Sequence, residues 1–149
     1  MASIAWTSVE TITLHGDVVH WPWLMAVQSL RDVTHLLITA EGEWEASGGQ
    51  LRPFPPDGHM GLPIQADKLL VPDCPPGALV GKIGGSSAHL AATLAAGAAV
   101  PGAIFPVGAH CIVSIPSGVV GPLFIGFNWI PRPLTVIDLK VCVFGAAPV

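Results

Sequence analysis

Two stretches of this chain carry side chains of the kind that hold a sugar. Trp44 and Trp129 offer flat aromatic faces, and Gln50, Asp57, His59 and Asn128 offer groups that fix hydroxyls. Each also has a plainer use. A tryptophan in a domain this small more often packs than stacks on a ligand. A histidine in a loop such as Pro56-Asp57-Gly58-His59 is more often simply solvated. The candidate sugar contacts are His59, Asn128 and Trp129.

Catalytic spacings are not found. Gly85-Ser86-Ser87-Ala88 lacks the G-x-S-x-G elbow that lifts a serine out of a strand-to-helix turn. Gly77 to Lys82 is one residue short of a phosphate-cradling P-loop, and no Ser or Thr follows the lysine. His15 and His20 have no acidic or cysteine partner at metal-ligand spacing. The carboxylates are spread out, and none pairs with another as an acid–base couple. The expectation is a protein that is not an enzyme, with no catalytic residue, metal or cofactor.

The elements that must position these groups read as strands. Pro and Gly recur every ten residues or so after Gly42, between short apolar runs, which is the pattern of a β-sandwich or barrel. Strands are predicted at Ile4–Ser8, Thr11–His15, Thr34–Thr39, Ala78–Ile83, His110–Ile115, Leu123–Phe127 and Thr135–Phe144. In the last, a period of two puts Thr135, Ile137, Leu139, Val141 and Val143 on one face, predicted to be core. Val136, Asp138, Lys140, Cys142 and Phe144 share the other, which reads as a partly covered outer face. Lys82 is the lone charge in its strand and is predicted to turn to water.

Bulk composition points to covered surface. The chain has 149 residues, enough for one domain spanning 1–149, with 51% hydrophobic and only 11% charged side chains. An ordinary soluble domain carries roughly 25% charge. The longest apolar stretch, Leu90 to Val107, is broken by Gly97, Pro101, Gly102 and Pro106, so it is no transmembrane span. Six Lys and Arg are scattered and net charge is −4, which argues against nucleic acid. Three well-separated cysteines suggest a reduced compartment rather than a disulfide framework. The first residues have neither the basic region nor the apolar run of a Sec signal, and the compartment stays open: cytoplasm, or export by a non-Sec route.

Two segments depart from the strand pattern. Trp21-Pro22-Trp23 reads as a core plug or an anchor for a partner. Ser86 to Val107 holds no Asp, Glu, Lys or Arg, and within it Ser86 to Gly102 is rich in alanine and could form a short helix capped by Ser86 or Ser87 and ended by Gly97 and Pro101. Both are expected to form or support a contact surface, with Trp21, Trp23, Ala92 and Ala96 as interface candidates. Protein partners or self-association follow, as does docking to a membrane complex without a span of the chain's own.

The run Gly77-Ala-Leu-Val-Gly-Lys-Ile-Gly84, then Phe105-Pro106-Val107, then Leu123-Phe-Ile-Gly-Phe-Asn128 resembles the PA-I galactophilic lectins. These are small bacterial β-sandwiches that bind galactose through calcium. Ile4-Ala5-Trp6 and Asp32 to Trp44 are similar to earlier parts of that family. The resemblance implies a galactose-binding-domain-like jelly roll, with His59 at a sugar-contacting position and Ser86 to Gly102 as an apolar insertion. It also implies where calcium would sit, and there the chain departs. The family's Asn-Asp pair is Asn128-Trp129 here. The loop through Ile130-Pro131-Arg132-Pro133-Leu134 offers one amide, no carboxylate and an arginine. Calcium wants six to eight oxygens, so the site is read as lost. The expected function is a lectin-like structural or accessory subunit that docks on protein partners. The alternative is a lectin with a metal-independent or altered sugar site.

Overall fold

The structure is a computed structural model. It describes residues 6–18, 23–46, 53–60, 62, 64, 68–84, 104–115, 118, 120–129 and 134–146. Trp21, Ala92, Ala96 and most of the alanine-rich segment lie outside the described residues.

The chain is all-β, in two antiparallel four-stranded sheets. Among the described residues eight strands run β1 (Thr7–Val18), β2 (Trp23–Val27), β3 (His35–Ala46), β4 (Leu79–Ile83), β5 (Ile104–Pro106), β6 (His110–Ser114), β7 (Leu123–Phe127) and β8 (Leu134–Ala146). One sheet has the order β1-β8-β3-β6 and the other β2-β7-β4-β5. No described helix is long and apolar enough to cross a membrane. The core lies between the sheets. The first sheet supplies Leu36, Ile38, Trp44, Leu139, Val141 and Val143, and the second Leu79, Ile83, Leu123, Ile125 and Phe127.

The two N-terminal strands expected from sequence are one. β1 stays paired to β8 through two register shifts, between Ser8 and Glu10 and between Leu14 and Gly16. Each shift breaks the two-residue period, so the sequence lost phase where the backbone kept its partner. β2 was not anticipated: Trp23–Val27 pairs with β7, with Trp23 opposite Gly126.

β8 confirms one part of its predicted face and corrects another. Leu139, Val141 and Val143 are buried, but Ile137 is 43% exposed and Val136 is buried instead. The cause is a bulge. Glu43 pairs with Asp138 while the next residue, Trp44, pairs with Val136, leaving Ile137 as the extra residue. Past it the inward set changes by one residue. Gly42 permits the close approach beside this bulge. Its φ is 123°, and a Cβ there would run into the Asp138 carbonyl.

Lys82 is also a correction, being only 2% exposed. All five residues of β4 and all five of β7 are buried. A sheet covered on both faces shows continuous apolar strands rather than alternation. The outward side of this sheet therefore holds a second cluster of Trp23, Leu70, Val80 and Phe124, flanked by Val71 and Ile104. Lys82 lies in that layer.

The β8 bulge makes a direct prediction. Leu139→Ala should lower unfolding free energy by about 2–5 kcal/mol, while Ile137→Thr should change it by about 0.5 kcal/mol or less. Urea denaturation measures both, and equal losses would contradict the bulge.

Candidate functional site

The predicted sugar contacts converge on one end of the sandwich, but as structure-forming groups. Trp44 stacks on Phe54 at 4.6 Å between ring centroids and 19° between planes. Phe127 lies against Trp44 at 4.9 Å, and Trp129 meets it edge-on at 6.3 Å. Trp129 is buried, so its ring faces are used within this cluster. The Trp44 indole N–H donates to Gly77 O at 2.8 Å. Gly77 has φ 77°, and a Cβ there would strike the Phe54 ring.

Asn128, at the end of β7, is fully buried. Its Oδ1 accepts from Val71 N–H at 2.8 Å. Its Nδ2 points at three carbonyls, Val71 O at 3.0 Å, Cys74 O at 3.1 Å and Pro75 O at 3.0 Å. With two hydrogens for three acceptors, one hydrogen is shared. The main chain adds Gly77 N–H to Asn128 O and Asn128 N–H to Ala78 O. The amide oxygen that a cation or hydroxyl would need already accepts one hydrogen bond, on a residue fully shut off from solvent.

His59 is half-buried. Its Nε2 lies 2.6 Å from Pro53 O, and because a carbonyl only accepts, that nitrogen donates. Its ring leans on Phe54 at 4.9 Å. Asp57 Oδ1 accepts from Ala109 N–H at 2.8 Å, tying this loop to the start of β6. Gln50 lies outside the described residues. Among the described residues no three His, Cys, Asp or Glu side chains gather as metal ligands.

Trp23 is 3% exposed, packed in the outer layer of the second sheet rather than presented at the surface. With Phe124 it brackets the Lys82 ammonium, whose Nζ is 5.0 Å from the Trp23 ring and 5.1 Å from the Phe124 ring. Ring faces attract a cation by about 0.5–2 kcal/mol each. Burial works against the charge and lowers the Lys82 pKa. The thiols are free. Burial raises the Cys111 pKa to about 11, although a main-chain hydrogen bond with Ile38 opposes it. Burial, then Asp73, raises that of Cys74. Neither is a thiolate at neutral pH.

The open surface is the outer face of the β1-β8-β3-β6 sheet. Register organises it in rows. Thr13, Lys140 and Glu41 form one row, and Thr11, Cys142, Thr39 and His110 the next. A depression of about 200 Å³ lies between them, lined by Thr39, Ala40, Glu41, Lys140 and Cys142. The following row is apolar: Phe144, Leu37 and Ile112 lie side by side across three strands. Ile112 is 65% exposed, and Phe144 and Leu37 are half-buried. Sequence reading placed Cys142 and Phe144 on a partly covered face. It missed the row because Leu37 and Ile112 join it only through register. The alternation in His110-Cys-Ile-Val-Ser114 was its one local sign.

Compared with protein-family models and with curated proteins, the chain matches none.

The Lys82 environment predicts a pH effect. A lysine whose folded pKa lies below its unfolded value binds its proton less tightly when folded. Stability then rises with pH between those two values. The stability of the wild type relative to Lys82→Met should climb as pH approaches the ordinary lysine value. Parallel pH profiles from thermal melts would contradict the assignment.

Proposed function

We propose that the chain is a non-catalytic, lectin-like β-sandwich acting as a structural or accessory subunit. It docks on protein partners in a larger assembly, and the calcium site of the lectins it resembles is lost. The observation that carries this reading is the apolar row Phe144–Leu37–Ile112 on the open sheet face, half-buried at Phe144 and Leu37 and exposed at Ile112. Side chains of this kind lined up across three strands are costly to leave in water and are characteristic of contact surfaces. The low charge, 11% of residues, fits the same reading. So does the polar rim of Thr39, Glu41 and Lys140 beside the row, since interfaces pair an apolar centre with a polar border.

Sugar binding has less support. Two of its three candidate contacts, Asn128 and Trp129, are buried, and His59 donates to a main-chain carbonyl. Loss of calcium rests on the same residues. Asn128 Oδ1 accepts from Val71, and Trp129 stands where a carboxylate would be needed.

The test uses the tagged full chain purified from its native source. A protein should co-purify in fixed stoichiometry, and Leu37→Asp should lose it while melting as a folded domain. A chain that co-purifies equally with wild type and Leu37→Asp, or the absence of any stoichiometric partner, would overturn this reading.

A further inference from the structure

We infer that the free edge of β6 is a self-pairing edge, where a second copy of this chain adds its own β6 antiparallel to make one continuous sheet. The inference goes beyond the docking reading and does not depend on it, because it rests on main-chain groups at the sheet edge.

The two sheets have four edge strands, β1, β6, β2 and β5. An edge presents unpaired N–H and C=O groups, and proteins usually blunt it with bulges, charges, proline or shortness. Three of these edges are blunted. β1 carries two register shifts and the charges Glu10 and Asp17. β2 is shifted between Met25 and Val27. β5 is three residues long and ends in Pro106. β6 has none of these devices. Its sequence His110-Cys-Ile-Val-Ser114 contains no Asp, Glu, Lys or Arg, and its pairing with β3 is unshifted.

The free groups can be identified. Ala40 N–H donates to Ala109 O, and Ile115 N–H donates to Thr34 O. Hydrogen-bonded pairs alternate along an antiparallel ladder. Cys111 and Val113 therefore turn their main-chain groups to β3, and His110, Ile112 and Ser114 turn theirs outward. No described residue hydrogen-bonds those outward groups.

The edge is complementary to itself. A two-fold axis at Ile112 sets Ile112 against Ile112 and His110 against Ser114. All three pairs fall on outward-facing groups, giving about six main-chain hydrogen bonds at two per pair. No like charges are opposed, because the strand has no carboxylate, lysine or arginine. The two exposed Ile112 side chains meet and join the apolar rows of both copies into one. A five-residue strand is about 17 Å long. Pairing it covers less than the roughly 800 Å² per partner of a standard interface, so the dimer should form in a concentration-dependent way.

Cross-linking tests the edge and its register together. Opposed residues of a hydrogen-bonded pair have Cα atoms about 5.5 Å apart, which suits a disulfide. On mild oxidation Ile112→Cys should give a disulfide-linked dimer at least about tenfold faster than Thr13→Cys, an exposed position on the same face but on the blunted edge strand β1 at the opposite side of the sheet. The His110→Cys/Ser114→Cys double variant should also cross-link, and either single variant should not. Sedimentation of the wild type should show a dimer growing with concentration, lost in Ile112→Lys. A wild type that stays monomeric at every concentration would overturn the inference. So would Ile112→Cys cross-linking no faster than Thr13→Cys. Loss of the co-purifying partner in Leu37→Asp with Ile112→Cys still cross-linking would leave both conclusions standing, and the converse results would remove them separately.

Discussion

A buried carboxamide holds one end of this sandwich shut. Leaving one buried polar group unpaired costs about 1–3 kcal/mol. The 71–75 segment has a main-chain N–H and three carbonyls directed at the same point, and Asn128 meets all of them. The side chain works because β7 ends there, and its main chain is fixed by Gly77 and Ala78, the two residues just before the neighbouring strand β4. With that segment held, Leu70 and Val71 cover the outward side of the second sheet. The Trp44 indole reaches Gly77, and the aromatic cluster fills the space behind it. Trp44, Asn128 and Trp129, suited by type to hold a sugar, are thus among the residues that close the fold.

This closure divides the molecule's surface. The central strands β4 and β7 of the second sheet are covered on both faces, to the point that a lysine is enclosed between two aromatic rings, while Leu24 and Met25 on its edge strand β2 stay exposed. The first sheet is covered only on its core side. Its other face keeps the alternation of a half-solvated antiparallel sheet, with threonines, Glu41 and Lys140 outward, until it reaches Phe144, Leu37 and Ile112. Both contacts proposed above use the first sheet, one its face and the other its β6 edge.

Much of the architecture was legible in the chain. β4, β6 and β7 were located to within a residue because glycine and proline bracket short apolar runs. The all-β class followed from the same punctuation. Phase was harder to read. Leu139, Val141 and Val143 obey the period of two, and Ile137 does not, because a bulge consumes one residue and no local signal marks it. Lys82 was misplaced by assuming that a charge needs water, whereas every residue of β4 and of the apolar β7 beside it is buried, the sheet being covered on both sides there. The candidate site was legible only as a set of residue types. Whether Asn128 faces a ligand or three carbonyls depends on a segment more than fifty positions earlier in the chain, and spacing does not encode that meeting.

Native-state hydrogen exchange at the Val71 amide tests the central claim most directly. If Asn128 holds the 71–75 segment as a structural clip, Val71 should exchange as slowly as the amides of β4 and β7, through the same cooperative opening. It should lose that protection in Asn128→Ala. Exchange of Val71 at the rate of an exposed loop, or protection gained only when a sugar or calcium is added, would contradict the account and return Asn128 to a ligand-binding role.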